Sequence, residues 1–301
     1  TGQQQYRCSY NTLYNQCSNT QPLFCNNGNL VNNCQRCGCP AQQNCQLDGS
    51  CSGIIGAECT DNLISYWSFN NPSNPARDLF NGHDGIVNGA SWSSVGKVQG
   101  AMAFDGVNDR VEITNSNDLT FSSSSSYTVS TWVKSDILPN NWRGIVTKSR
   151  DIGPWYGIWI SPQKQWTFGG DPSDLFGSVI TTDWHHVAIV QRGSIGRYIY
   201  VDGILVSNSN FVSGSGIGDL WIGGAKSVTE YFDGIIDEAA IWSRELSPTQ
   251  IQDLYNDGVN NLPVCGIGEN TTQRCSDNTL YNQCSNTQPL FCNSSGQLID
   301  N

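Results

Sequence analysis

The sequence predicts an all-β protein, a two-sheet antiparallel sandwich with small disulfide-rich modules at both ends. Short strand-like runs recur along the middle of the chain, with turn residues between them. Only 14 % of the residues are charged, and Gly is abundant with 31 copies, a composition that favours turns and strands over helices. All thirteen cysteines lie outside residues 60–264. Cysteine crowded into short segments is typical of small modules that cannot bury a sufficient core.

The composition also limits which cellular compartment and which binding partners are expected. The formal charge is −11 with fifteen Lys and Arg and no basic run, which argues against nucleic acid or an anionic membrane as the main partner. No apolar run approaches the ~18 to 20 residues of a membrane span. Acidic, oxygen-rich loops are compatible with calcium, and solubility is the alternative explanation of the charge. The cysteines predict an extracellular protein, so we expect a removed leader or a longer parent chain.

Residues 1–57 form the first predicted module. It holds eight cysteines, Cys8, Cys17, Cys25, Cys34, Cys37, Cys39, Cys45 and Cys51. A disulfide framework is the main interpretation, and its connectivity stays open because eight cysteines allow 105 pairings. A zinc site is the alternative, since Cys34, Cys37 and Cys39 have workable ligand spacing. The absence of His from this block argues against zinc.

Residues 58–263 form the predicted sandwich. Asp202-Gly203 between apolar residues indicates a hairpin. One helix is expected to begin after Ser247, its N-cap residue. Pro248 lies in the first turn, Gln250 completes a capping box with Ser247, and Gly258 lies where the helix ends. The expected strands are 64–69, 101–104, 110–113, 127–134, 144–148, 156–160, 166–168, 185–191, 198–201, 219–222 and 232–242.

Residues 264–301 repeat the first module in truncated form. The segments 7–25 and 274–292 differ only at Tyr10 and Asp277, and 267 residues separate their starts. Asn270 and Asn293 begin N-glycosylation sequons, with chance occurrence as the alternative. An odd number of cysteines cannot all pair within one chain. The repeat therefore predicts a unit of a tandem or filamentous array, joined through its terminal modules to other copies or adjacent repeats.

Ordered motifs in the central segment carry a family resemblance. They include Tyr66-Trp67-Ser68-Phe69, the Asn81-Gly82-His83-Asp84-Gly85 loop after Asp78, and the late strand 234–242. Further motifs lie at 103–113, 127–133, 184–188 and 200–203. The segment resembles the laminin-G-like, concanavalin-A-like jelly-roll family. The resemblance implies two antiparallel sheets packed face to face, with roles in adhesion, glycan binding or scaffolding.

The same resemblance implies one structural Ca²⁺ ion held by Asp78, Asn81 and Asp237. The early loop is one residue shorter than the usual form, and the alternative is that Asp78 and Asn81 only shape a turn. A disulfide between Cys59 and Cys265 is also expected, because these cysteines bracket the sandwich and the chain ends of such folds lie close together. This pairing leaves an even number of cysteines in the first module.

Glycans are the candidate organic ligands. Trp142, Trp155, Trp159 and Trp166 cluster in one region, and Trp155 and Trp159 fall on one face if they lie on a strand. Exposed aromatic rings stack on sugars, while packing in the core is the alternative for each tryptophan.

Catalysis is not expected. Glycoside hydrolysis needs two carboxylates flanking one bond, whereas Glu112 and Glu230 stand alone in the sequence and Asp237-Glu238 should face opposite ways on a strand. His185-His186 opens a core strand, and His83 has no evident acidic partner nearby. We therefore expect an extracellular structural or adhesive protein, not an enzyme, with a calcium-dependent carbohydrate-binding module of a larger secreted protein as the alternative.

Overall fold

The computed structural model describes residues 59–268 continuously. In the terminal segments it describes residues 8, 13, 16–18, 23–27 and 29–37, and the backbone of 44–45, 51–52, 57–58, 283–284, 290–292 and 298–300. The predicted glycosylation sites Asn270 and Asn293 lie outside the described residues. Within the described part, no helix is both long and apolar enough to cross a membrane.

The N-terminal module is stapled by disulfides. Its described elements are β1 (Leu23–Asn26), β2 (Asn29–Asn32), α1 (Cys34–Cys37), β3 (Asn44–Cys45), β4 (Cys51–Ser52) and α2 (Ala57–Thr60). Cys8 pairs with Cys25 and Cys17 with Cys37, and Cys34 is also disulfide-bonded. The alternative zinc site is therefore wrong for Cys34 and Cys37, because a sulfur in a disulfide is not a thiolate ligand.

The sandwich contains fifteen described strands. They are β5 (Leu63–Trp67), β6 (Ile86–Asn88), β7 (Ser91–Ser93), β8 (Ala101–Asp105), β9 (Arg110–Ile113), β10 (Tyr127–Ser135), β11 (Arg143–Lys148), β12 (Tyr156–Ile160), β13 (Gln165–Gly170), β14 (Leu175–Val179), β15 (Trp184–Arg192), β16 (Gly196–Val201), β17 (Ile204–Ser209), β18 (Leu220–Ile222) and β19 (Asp233–Trp242). Every strand expected from the sequence is present. β6, β7, β14 and β17 were not predicted: β6 and β7 are only three residues long, and most residues of β14 and β17 are not buried.

Two antiparallel sheets build the sandwich, which confirms the predicted fold class. One has the order β17-β16-β15-β10-β19-β8-β7, with β5 also paired to β19, and the other has the order β14-β13-β12-β11-β18-β9-β6. Their facing side chains form one large core that includes Trp67, Val129, Ile158, Phe168 and Ile236. Alternation along each strand directs every second side chain into this core, as a two-sheet sandwich requires.

Helix α3 (Pro248–Val259) covers the outer face of the eight-stranded sheet. Ser247 caps it as predicted: its side chain accepts from Gln250 N, and the Gln250 side chain returns the bond in a capping box. Gly258 does not end the helix, since Val259 is still helical. A Cβ at Gly258 would lie 2.2 Å from Trp132 Nε1, so this glycine permits close packing of the helix on the sheet.

The chain ends of the sandwich meet beneath α3. Cys59 and Cys265 form the expected disulfide, with a Cα–Cα distance of 5.5 Å. Both cysteines are buried together with Tyr66, Trp242 and Leu254 in a second apolar cluster. Trp242 Nε1 donates to the Cys59 carbonyl at 2.8 Å, so the disulfide is anchored to the last sandwich strand.

The C-terminal segment repeats the pairing of the first module. Its described strands are β20 (Gln283–Cys284), β21 (Leu290–Cys292) and β22 (Leu298–Asp300). Cys284 pairs with Phe291 as Cys17 pairs with Phe24 in the first module. The sequence repeat is therefore also a repeat of backbone pairing.

The Cys59–Cys265 crosslink yields a stability prediction. The double variant Cys59→Ser/Cys265→Ser should lower the free energy of unfolding by about 5 kcal/mol, because the bond closes a loop of sequence separation 206. Urea unfolding followed by tryptophan fluorescence measures the change. Cys8→Ser/Cys25→Ser is the matched control, since that pair has a sequence separation of only 17 and lies before the sandwich. Equal stability of the first variant and the unmodified protein would contradict the prediction.

Candidate functional site

A cavity of about 110 Å³ opens on the outer side of the seven-stranded sheet. The β12 side chains of Tyr156, Ile158 and Ile160 point into the core, so Trp159 points outward from the same strand. The cavity is lined by three tryptophans, one arginine and two carboxylates: Trp142, Trp155, Trp159, Arg150, Asp174 and Glu230.

Trp159 forms the floor of the cavity. A Cβ at Gly169, on the neighbouring strand β13, would lie 2.4 Å from Cε3 of the Trp159 ring. This glycine therefore lets the indole lie against the sheet surface. Trp159 Nε1 donates to Glu230 Oε2 at 2.9 Å, which fixes both side chains. Trp159 is 3 % exposed, so its partners determine its orientation.

Arg150 connects the remaining walls. Its guanidinium lies 4.6 Å from the centre of the Trp155 ring, and Nη2 lies 3.6 Å from Glu230 Oε1. The two oxygens of Glu230 therefore face different partners, the Trp159 indole and Arg150. Trp142 packs against Phe176 with ring centres 6.3 Å apart, and Trp142 and Trp155 remain partly exposed.

Asp174 supplies the second carboxylate. Burial raises its pKa, and the hydrogen bond from Gly170 N to Oδ1, at 3.3 Å, opposes the shift only in part. Two carboxylates and one guanidinium give the cavity a formal charge of −1 when all are ionised. Such a site offers several hydrogen-bond acceptors beside flat aromatic faces.

Three of the four candidate tryptophans therefore come together, and one does not. Trp166 is 1 % exposed and packs in the core, where its ring meets His185 edge-on at 5.8 Å. The glycan-binding prediction is wrong for Trp166, because its position on β13 points inward. Arg150, Asp174 and Glu230 were missed, since each lies far in sequence from the others and only the fold brings them together.

The three predicted calcium ligands differ in their hydrogen-bond partners. Both oxygens of Asp78 are engaged by backbone N–H groups: Oδ1 accepts from Tyr66 and Phe80 at 2.9 Å, and Oδ2 from His83 at 2.9 Å and Asn81 at 3.3 Å. Burial disfavours the ionised form, but these bonds and that of the His83 side chain outweigh it and lower the pKa of Asp78. Four donors use the lone pairs that a cation would need, so Asp78 does not fit a calcium ligand in this arrangement.

Asn81 and Asp237 make different contacts. Asn81 Nδ2 donates to the Ile64 carbonyl at 2.7 Å. Asp237 is buried, accepts from Val98 N and Glu238 N at 2.8 Å, and burial raises its pKa to about 8. Among the described residues, no group of three or more His, Cys, Asp or Glu side chains is placed to hold a metal ion. The calcium site stays a prediction that rests chiefly on Asp237.

Asp237 and Glu238 do not face opposite ways, contrary to expectation. Ile236 and Ala239 both point into the core although they are three residues apart, because the pairing of β19 with β10 shifts register between Asp237 and Ala240. This bulge inserts one residue, and Glu238 has a φ of 54°. Both carboxyl groups consequently lie outside the inter-sheet core, where Glu238 accepts from Tyr66 Oη and Val264 N at 2.7 Å.

The three histidines all make contacts within the fold. His186 is buried, lies 2.7 Å from Ser130 Oγ through Nε2, and burial lowers its pKa to about 4. His185 bonds Asp202 Oδ2 at 2.8 Å, while its ring faces Trp166. The expectation that His83 lacks an acidic partner is wrong: Nδ1 lies 3.4 Å from Asp78 Oδ2, and Nε2 lies 3.3 Å from Asp118 Oδ1.

Comparison with known proteins places the sandwich in a family. Residues 105–252 match the family model described as the concanavalin A-like lectin/glucanases superfamily. The sandwich is therefore a laminin-G-like, concanavalin A-like jelly-roll domain, preceded by a small disulfide-stapled module. No curated protein matches the chain significantly in sequence.

Solved structures share the fold. Domain 4 of AbnA, a GH43 extracellular arabinanase from Geobacillus stearothermophilus solved with arabinotriose, is 22 % identical with a TM-score of 0.52 over 64 % of this chain and 98 % of that chain. The binding domain of Paraclostridial Mosquitocidal Protein 1 is 16 % identical with a TM-score of 0.56, over 66 % of this chain and 53 % of that chain. Trypanosoma rangeli sialidase in complex with sialic acid is 17 % identical with a TM-score of 0.55, over 71 % of this chain but only 36 % of the sialidase. Identities this low show the fold alone.

The calcium prediction is tested by melting. A ligand that binds only the native state raises apparent stability, so excess chelator should lower the melting temperature and added Ca²⁺ should restore it. Asp237→Ala should abolish the sensitivity to chelator. Asp105→Ala is the control, because Asp105 is an exposed aspartate outside the predicted ligand set. Differential scanning calorimetry measures both effects, and an unchanged melt of the unmodified protein in chelator rejects the site.

Proposed function

We propose that the sandwich is a carbohydrate-binding module and that the tryptophan-lined cavity is its ligand site. The observation that carries the proposal is the convergence of Trp142, Trp155 and Trp159 with Arg150 and two carboxylates in one cavity. Ligand sites combine apolar and aromatic walls with a few fixed polar groups in this way. We further propose that the protein acts outside the cell, as its disulfides suggest.

The groups that line the cavity match the two kinds of surface that a sugar ring presents. A sugar ring presents C–H groups on its faces and hydroxyl groups at its edges. Aromatic rings pack against the faces, and Asp174, Glu230 and Arg150 accept or donate hydrogen bonds at the edges. Because Trp159, Glu230 and Arg150 already hold one another, little side-chain entropy is lost when a ligand binds.

The structural neighbours support a glycan ligand over a purely structural role. Domain 4 of the arabinanase was solved with arabinotriose, and the sialidase with sialic acid. These ligands belong to those two proteins. Because the fold is shared, we propose that this chain also binds a glycan. The predicted array also remains a prediction, since most of the terminal module that would join copies lies outside the described residues.

We propose binding without cleavage. Asp174 and Glu230 line the same cavity, so Glu230 has a second carboxylate nearby in the folded protein although none lies near it in the sequence. Hydrolysis, however, needs one carboxyl group free to donate a proton and another free to attack or to activate water. Glu230 directs one oxygen to the Trp159 indole and the other towards Arg150, which assigns it to holding the cavity walls.

Glycan binding is tested with single tryptophan variants. Trp142→Ala and Trp155→Ala should each weaken binding of a glycan identified on an array by about tenfold or more, which corresponds to roughly 1.4 kcal/mol per tenfold. Trp92→Ala is the matched control, a partly exposed tryptophan on β7 that does not line the cavity. Isothermal titration calorimetry gives the affinities. The bound glycan should also be recovered intact after long incubation, as judged by mass spectrometry.

Two results would overturn the proposal. Unchanged affinity in both cavity variants would place the ligand elsewhere on the protein. Shortened glycan products that disappear in Asp174→Asn or Glu230→Gln would assign hydrolysis, in place of binding alone, to the cavity.

A further inference from the structure

A second cavity adjoins the first. It measures about 500 Å³ and is lined by Asn141, Trp142, Ser227, Val228, Thr229 and Glu230. Trp142 and Glu230 line both cavities, so one indole and one carboxylate form the boundary between them. The two cavities are therefore neighbours on the surface of the same sheet, with Trp142 and Glu230 between them.

We infer that the two cavities are adjacent subsites of one groove and that the ligand is a neutral oligosaccharide of at least two sugar residues. The inference rests on the proposed function and deepens it. Size supports it: at about 110 Å³ the first cavity alone is smaller than the roughly 300–1,000 Å³ of ligand sites, so a ligand held between its tryptophans needs the adjoining 500 Å³ as well. One sugar residue on each side of Trp142 uses both cavities.

The wall of the second subsite is held in place before a ligand arrives. Its loop, 227–230, is fixed at both ends. At the start, Lys226 Nζ bonds Asp219 and lies 3.5 Å from Asp151 Oδ2. At the end, Gly144 N donates to the Glu230 carbonyl at 2.8 Å. A wall anchored in this way presents Ser227 and Thr229 hydroxyls at set positions, which reduces the entropy lost on binding.

Charge determines which glycans fit. The first subsite carries Asp174 and Glu230 against the single cation Arg150, and the second adds only uncharged side chains to the shared Glu230. A sugar carboxylate, as in sialic or uronic acids, would be placed near like charges inside a partly enclosed site, which disfavours it. Sugar hydroxyls instead donate to the carboxylates and exchange hydrogen bonds with Asn141, Ser227 and Thr229.

The test separates the second subsite from the first. The full chain is applied to an array of neutral and carboxylated glycans of one to six residues, and the affinities of the best series are then measured by calorimetry. Neutral glycans of two or more residues should bind at least tenfold more tightly than the corresponding monosaccharide. Asn141→Ala/Thr229→Ala, two exposed positions in the second subsite, should weaken binding of the oligosaccharide about tenfold and leave that of the monosaccharide unchanged.

The matched control changes the same residue types away from both cavities. Asn210→Ala/Thr249→Ala removes the same two side-chain types from exposed positions outside both cavities, and should not change either affinity. Equal affinity for monosaccharide and oligosaccharide, or preference for carboxylated glycans, overturns the inference and leaves the proposed function standing. Lack of binding to every glycan on the array overturns both.

Discussion

The Glu238 carboxyl group lies in the middle of β19 and accepts hydrogen bonds from Tyr66 Oη and Val264 N, both at 2.7 Å. Tyr66 belongs to β5, the first sandwich strand, and Val264 precedes Cys265 of the closing disulfide. Burial and the neighbouring Asp237 raise the pKa of Glu238 well above its usual range. One side chain thus joins the beginning, the centre and the end of the domain. Removing it would leave the fully buried Tyr66 hydroxyl without its acceptor, a loss of about 1–3 kcal/mol.

The contacts that close the domain lie in one sheet, and the candidate site lies on the other. β19 pairs with β5, β8 and β10, so most of the chain-closing contacts lie in the eight-stranded sheet and beneath α3. The cavity lies on the other sheet, where β12 supplies Trp159, the loop before β11 supplies Trp142, and the loop between β11 and β12 supplies Arg150 and Trp155. A rigid sheet with variable loops at its surface is a common arrangement for binding sites. In this protein the floor of the site belongs to a strand, and the walls belong to loops pinned by hydrogen bonds.

Sequence patterns predicted the strands and the face of β12, but they could not predict strand register. Trp159 and Trp166 lie on strands that pair in one hairpin, and the register places Trp159 opposite Thr167. A shift by one residue would have exchanged the inner and outer faces of β13, so the sequence left both glycan binding and core packing open for Trp166. The bulge at Glu238-Ala239 was not predicted for a similar reason, since an inserted residue reverses the expected alternation. Contacts such as Glu230 with Arg150 join distant segments, and only the completed sandwich creates them.

Sugars are proposed to bind between the tryptophans of the seven-stranded sheet. A crystal structure of the protein with a bound neutral oligosaccharide tests it most directly. We expect one sugar ring beside Trp155 and Trp159 in the first cavity, with the next residue of the glycan passing Trp142 into the second. A glycan bound on another surface, such as the cavity beside Arg192 and Arg244, with the tryptophan-lined groove unoccupied, would contradict it.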